Sequence, residues 1–344
     1  MTAQERLPVT LLTGFLGSGK TTLLQKVLAD PRMARTAVII NEMGEVGIDH
    51  LLVGKLDDDT MLLKSGCLCC GLKTDFTDSL LSLYHRRQTG QYPSFDRVIV
   101  ETTGMADPVP LLRLLMTHEP INSWYSVRGV VTTLDTLLPL DPKSARVERQ
   151  RQISLADHIV LTKTDLASRD QVQSVQAAAQ GLNSRANYVV GGDEDAVMRA
   201  LLQEDRYPVV RNLYRGPQER VSVLGRTPSE VSHSRVGSFC LYADGPLPWS
   251  GLVSFFQFLA RTYGGRLLRL KGLLSVADSA RPVVVHGVEH FLFPETYLDE
   301  WPDTDQRSRI VLIGEDLDQE DIEELFELYV LRGSRITAPK VAAG

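Results

Sequence analysis

The chain has 344 residues, 43% of them hydrophobic and 23% charged, a globular composition that excludes disordered, collagen-like and fibrous classes. Lys and Arg total 37 against 43 Asp and Glu, a net charge of -6, so no basic excess points to nucleic acid or to an anionic membrane as partner. The N-terminus, Met1-Thr2-Ala3-Gln4-Glu5-Arg6, has no apolar signal core, and no apolar run is long enough to span a bilayer, so a cytoplasmic protein is expected.

Taken in chain order, short apolar runs alternate with helical spacing. Strands are predicted over 9–12, 37–40, 61–63, 98–100, 129–131, 159–161 and 188–190, and helices over 20–29, 72–87, 110–116, 146–154 and 170–180. Continuous apolar strands between helices indicate a mainly parallel sheet covered on both faces, a doubly wound α/β domain. Gly216, Pro217, Gly225 and Pro228 then mark a polar connector. Beyond it, strands near 237–242, 267–276, 282–288 and 309–313 surround helices near 249–263 and 317–331, a smaller α+β domain on an antiparallel or mixed sheet. The expected organisation is a first domain over 1–212, a linker over 213–234, a C-terminal domain over 235–334 and a tail over 335–344.

Gly14-Phe15-Leu16-Gly17-Ser18-Gly19-Lys20-Thr21 fits GxxxxGK[ST] between the first strand and the first helix. Such a loop turns backbone N–H groups toward phosphate oxygens at a helix N-terminus. Gly14, Gly17, Ser18, Gly19 and Thr22 are its candidate binding residues. Lys20 supplies charge for the β- and γ-phosphates, and Thr21 a hydroxyl for Mg2+. Val98-Ile99-Val100-Glu101-Thr102-Thr103-Gly104 is a second strand ending at the ligand edge. Glu101 is expected to face the Mg2+ or its waters, and Gly104 to let the backbone approach the γ-phosphate.

Thr162-Lys163-Thr164-Asp165 resembles the guanine-reading [N/T]KxD element. A carboxylate at Asp165 accepts from both guanine N1–H and the 2-amino group, and adenine offers no such pair. The aliphatic stem of Lys163 can lie over the base. The commoner element has Asn where this chain has Thr162. Residues 182–186 are a weaker candidate for a second base-side loop. GTP with Mg2+ is therefore the expected ligand.

Three of the four cysteines, Cys67, Cys69 and Cys70, sit within four positions between a strand and a helix. Soft thiolates clustered in this way suit Zn2+, Cu(I) or a borderline ion such as Co2+ rather than a disulfide framework, and Zn2+ or Co2+ is the expected ion. A fourth ligand is open between water, Glu, His and a partner chain. Glu42 can serve the thiol site or the Mg2+ side, and Asp49 the Mg2+. His50, His286 and His290 read as surface residues.

The combined motifs GFLGSGKTT (14–22), NEMGEVGID (41–49), SGCLCCG (65–71), ETTGMADP (101–108) and TKTD (162–165), followed by HGVEH, WPD and RSRIVLIG, resemble the CobW-like metallochaperone GTPases over nearly the whole chain. The resemblance implies slow GTP hydrolysis and a metal bound at Cys67, Cys69 and Cys70 in the GTP–Mg2+ state. It also implies release of that metal to a client metalloprotein on hydrolysis, and it leaves a homodimer open. Three alternatives stand beside it: an activator of a metalloenzyme such as nitrile hydratase, a phosphate-loop NTPase with a purely structural zinc, and a metal-sensing regulatory module docking through 235–331.

Overall fold

The protein's computed structural model describes residues 6–41, 61–65, 73–142, 144–202, 236–292 and 295–332, with backbone alone at 41, 61–65 and 73–75. The chain divides into two compact units at Pro208 and Val209.

In the first unit, seven strands form one sheet: β1 Leu7–Gly14, β2 Thr36–Asn41, β3 Met61–Ser65, β4 Arg97–Glu101, β5 Tyr125–Asp135, β6 His158–Thr162 and β7 Asn187–Val190, ordered β3-β2-β4-β1-β5-β6-β7. Every pairing is parallel. The helices are α1 Lys20–Leu28, α2 Lys73–Gln88, α3 Pro108–Thr117, α4 Ile121–Trp124, α5 Val147–Ser154, α6 Arg169–Leu182 and α7 Glu194–Leu202. Leu23, Leu24 and Val27 of α1 and Val197, Met198 and Leu201 of α7 pack on Leu12, Ile99 and Val131. Ile153 of α5 and Val175, Ala179 and Leu182 of α6 pack with Leu134, Ile159 and Leu161. With both faces covered, strand residues of either parity are apolar, the signature of a buried parallel sheet.

Local chemistry starts the helices. Asp107 accepts from the Val109 N–H at 3.0 Å ahead of Pro108, which begins α3. Ser168 and Gln171 form a reciprocal capping box at α6. The sequence reading misses α4 and α7. The first is a single turn. The second follows Gly191-Gly192-Asp193, which reads as loop.

The expected second base-side loop at 182–186 is corrected by topology. It joins α6 to the start of β7, so it lies at the amino edge of the sheet, away from the phosphate loop. Its Asn183 is buried and serves the fold. The side-chain amide donates to the carbonyls of Ile153, Ser154 and Ala156 at 2.9, 3.1 and 2.9 Å, and its oxygen accepts from Arg185 and Ala186 N–H. Asn183→Ala strands these buried partners and is expected to cost about 2 kcal/mol; a shift in the urea midpoint corresponding to under 0.5 kcal/mol, roughly the scatter of ordinary surface changes, would contradict it.

The second unit holds a six-stranded sheet of β8 Val236–Ala243, β9 Leu267–Leu274, β10 Val283–Val288, β11 Phe291–Leu292, β12 Thr296–Tyr297 and β13 Ser308–Glu315, ordered β11-β10-β9-β13-β8 with β12 also on β10. All its pairings are antiparallel. Helix α8, Trp249–Tyr263, and α9, Gln319–Phe326, supply Leu252, Phe255, Leu259, Ile322 and Phe326 to one core with Leu270, Leu274, Ile310 and Leu312. Phe255 and Phe326 meet edge to face, centroids 5.2 Å apart. The single helix expected over 317–331 changes to a π-helical turn at Glu327–Arg332. Among the described residues no helix is long and apolar enough to cross a membrane.

Candidate functional site

The carboxyl ends of β1, β4, β5 and β6 meet around residues 14–21. Gly14, Gly17 and Gly19 have φ of 144°, 70° and 85°, a left-handed path that side chains resist. At Gly14 a Cβ would stand 2.3 Å from Thr133 Oγ1 and 2.5 Å from its carbonyl oxygen, so β5 fits directly against the loop. The Ser18 and Thr133 hydroxyls are 2.7 Å apart. The Thr102 hydroxyl donates to Thr13 Oγ1 at 2.9 Å, tying β4 to β1.

Lys20 is buried, and its ammonium donates to the Gly14 and Phe15 carbonyls at 2.8 and 3.2 Å. Burial pushes its pKa down, and the charge of Glu101 draws it part of the way back. The Thr21 hydroxyl donates to Glu101 Oε1 at 2.6 Å. These two side chains come from positions 80 residues apart and place hard oxygens side by side, a donor set that suits Mg2+. Gly104 lies against the loop itself, where a Cβ would stand 2.6 Å from Leu16 N and 2.7 Å from its Cα. Thr22, one position further along α1, is exposed.

On the other side, the Thr162 hydroxyl donates to the Ser18 carbonyl at 2.8 Å and lies 3.2 Å from that of Leu134. Threonine at this position thus ties the KxD loop to the phosphate loop, and its hydroxyl is used for positioning. Lys163 has φ 57°, and its ammonium pairs with Asp135 at 2.6 Å, which orients the lysine stem. Asp165 is exposed, with no hydrogen bond to any described residue. Gly191, after β7, donates its N–H to the Leu161 carbonyl at 2.8 Å and leaves no room for a side chain beside it, a Cβ there standing 2.9 Å from that oxygen.

Asp135 and Gly191 were not among the residues picked out from sequence. Asp135 carries the same signal that marks Glu101, an acid closing an apolar strand, whereas Gly191 needs the strand order before it can be placed. The metal candidates Cys67, Cys69, Cys70, Glu42 and Asp49 lie outside the described residues. Among the described residues no group of three or more His, Cys, Asp or Glu could hold a metal. The backbone does locate the ends from which those candidates depart. Asn41 and Ser65 pair in register, closing β2 and β3 at the phosphate-loop edge.

Residues 8–190 match the CobW/HypB/UreG nucleotide-binding domain, and residues 236–329 the cobalamin synthesis protein CobW C-terminal domain. The zinc chaperone YjiA of Escherichia coli is 30% identical over 320 residues, 93% of this chain and 98% of that protein. The zinc-regulated GTPase metalloprotein activator 1 of Saccharomyces cerevisiae is 28% identical over 371 aligned positions, 94% of this chain and 83% of the relative. The crystal structure of the Zn(II)-bound E. coli YjiA GTPase superposes with a TM-score of 0.69 at 27% identity, covering 95% of this chain and 99% of that one. With a phosphate loop, its partner carboxylate and a KxD loop on one sheet edge, and with both domains matched, the chain belongs to the CobW/HypB/UreG family of nucleotide-binding proteins and carries the CobW C-terminal domain.

Proposed function

We propose that the protein is a GTP-dependent metallochaperone. In this reading it binds zinc through Cys67, Cys69 and Cys70 in its GTP–Mg2+ state and yields it to a client metalloprotein when GTP is hydrolysed. The observation that carries the reading is the common edge. The chain leaves β3 at Ser65, just before the thiol segment, on the edge where Lys20, Thr21 and Glu101 converge. That its relatives are named zinc chaperones supports Zn2+ over Co2+ as the cargo of this chain.

From β1 to β3 is three strand spacings, about 14 Å. In this reading the γ-phosphate and Mg2+ would order one arrangement of the segment that holds Glu42 and Asp49 together with the strand before the thiols, and so couple the two sites. Thr21 and Glu101 would hold the Mg2+, which would supply positive charge against the phosphates, and Lys20 would turn from its loop carbonyls to the β- and γ-phosphates. Asp165 reads guanine. Asp165→Asn loses a charge-assisted pair of hydrogen bonds and is expected to weaken GTP binding by about 2 kcal/mol, near 30-fold, with ATP little affected. Calorimetric titration with both nucleotides checks this, and equal losses for the two would remove Asp165 from base selection.

The reading as a whole is tested by competition titration of Zn2+ and Co2+ with Mg2+ throughout, in GTP, GDP, ATP and nucleotide-free buffer, beside a Cys67→Ala/Cys69→Ala variant. Tight thiol-dependent binding confined to GTP supports a gated carrier. Tight binding indifferent to nucleotide makes the thiols a structural zinc site and returns the protein to an ordinary phosphate-loop NTPase. By linkage, bound metal must tighten GTP by the same factor.

A further inference from the structure

We propose that Gln152 of α5 is a positioning residue for the phosphate side of this site, sharing one buried water with Arg149. Gln152 has no exposed surface. Its side-chain amide donates to the carbonyls of Gly104 and Ala106 at 3.2 and 2.9 Å. Both belong to the loop after β4, and Gly104 is the residue that meets Leu16. The adjacent Arg151 pairs with Asp107 on the same loop. Two adjacent residues of α5 therefore grip three positions of the loop after β4.

The same helix grips the base side. Arg149 donates from its two terminal nitrogens to the Pro139 and Leu138 carbonyls at 2.8 and 3.0 Å, a few residues after Asp135, the partner of Lys163. Two polar atoms remain. Gln152 Oε1 and Arg149 Nε are both buried without a hydrogen-bond partner. Both residues line one small cavity behind the phosphate loop, bounded also by Phe15, Leu16 and Ser18, with a free volume of about 10 Å3. That is the room one water needs. A water there accepts from Arg149 Nε–H and donates to Gln152 Oε1, and so removes the cost of leaving both groups unpaired. The amide cannot be reversed, since a flip would set Oε1 against two carbonyls. The donors of Gln152 are thus committed to the loop that senses the γ-phosphate. Loss of this grip weakens the triphosphate state and leaves the diphosphate state, which does not use that loop.

This inference rests on the guanine-nucleotide reading above. The test measures GDP and non-hydrolysable GTP affinities, with Mg2+, for full-length wild type, Gln152→Met, Arg149→Met and the double variant. Removing the two donors is expected to lower GTP analogue affinity about tenfold with GDP within twofold. Arg149→Met is expected to reproduce part of the loss, and the pair to lose less than the product of the single effects, since both remove one water's partner. Equal losses for both nucleotides, or an unchanged ratio, overturn the positioning role; fully multiplicative effects overturn the shared water. If Gln152→Met does not fold, Arg151→Met frees the same loop from the half-exposed side of α5 and must shift the ratio in the same direction. Wild-type protein that binds neither guanine nucleotide sinks the underlying reading instead.

Discussion

Gly104→Ala is expected to lower single-turnover GTP hydrolysis about 100-fold in a protein that still folds. The added Cβ would stand 2.6 Å from Leu16 N, 2.7 Å from Leu16 Cα and 2.8 Å from Leu16 Cδ2. Two of those atoms are backbone, so no rotamer change relieves the contact. Neither side can retreat easily. The phosphate loop is pinned by Lys20 on Gly14 and Phe15, by the Ser18–Thr133 hydroxyl pair and by Thr162 on the Ser18 carbonyl. The other loop is held by Gln152 and Arg151. The overpacking costs about 1–3 kcal/mol, which a domain of this size survives, and the residual separation of the two loops is what turnover reads, since about 1 Å of misplacement costs near 100-fold. Turnover within threefold of wild type would show that the two loops need not be in contact for hydrolysis.

In the second unit, Asp303→Ala is expected to cost about 3 kcal/mol of unfolding free energy. Arg309, near the start of β13, has no exposed side-chain surface, and its guanidinium forks onto Asp303 at 3.1 and 3.3 Å. Removing one partner of a buried pair leaves a charge in a poor solvent, at about 3–5 kcal/mol; the lower end applies because Asp303 keeps some exposure and Asp305 stands 3.9 Å away. Asp303→Ala combined with Arg309→Met is expected to recover most of the loss. Calorimetric melting of the full chain decides it, and a single-variant loss under 1 kcal/mol would assign the neutralising role to Asp305. The same corner gives an acid limit. Hydrogen bonding from Arg307 holds the Asp305 carboxyl below its ordinary 3.8. Its folded value is therefore lower than its unfolded one, so the stability it contributes is complete above that ordinary value and is lost as pH falls through the folded pKa.

Much of this was legible beforehand because the signals are local. The apolar runs of β1, β2, β4 and β6 and the helical spacing of α1, α6 and α8 give the elements, and a parallel sheet follows from strands that are apolar on both faces. That Lys20, Thr21 and Glu101 come together at one sheet edge was legible because one topological rule, that ligands sit at the carboxyl ends of the strands, needs no coordinates. Pairings between distant residues were not. Thr162 reads as a deviant base contact, and only its bond to the Ser18 carbonyl reveals a link between loops. Gln152 lies in a short polar helix, Arg-Gln-Arg-Gln, where nothing in the pattern separates the one amide that faces the sheet from its neighbours. Residues 182–186 misled because a polar loop near a nucleotide fold carries no label for which edge of the sheet it occupies.

With β1 in the middle, strands β2, β3 and β4 lie to one side of it and strands β5, β6 and β7 to the other. Each side is also one unbroken stretch of sequence, residues 36–101 and residues 125–190. In the proposed reading, the residues that choose the base and those that choose the metal therefore come from separate stretches of sequence on opposite sides of β1. On that reading, metal choice can change by local substitution on one side of β1 while the base-reading side is kept, so one nucleotide switch can be fitted to different metals.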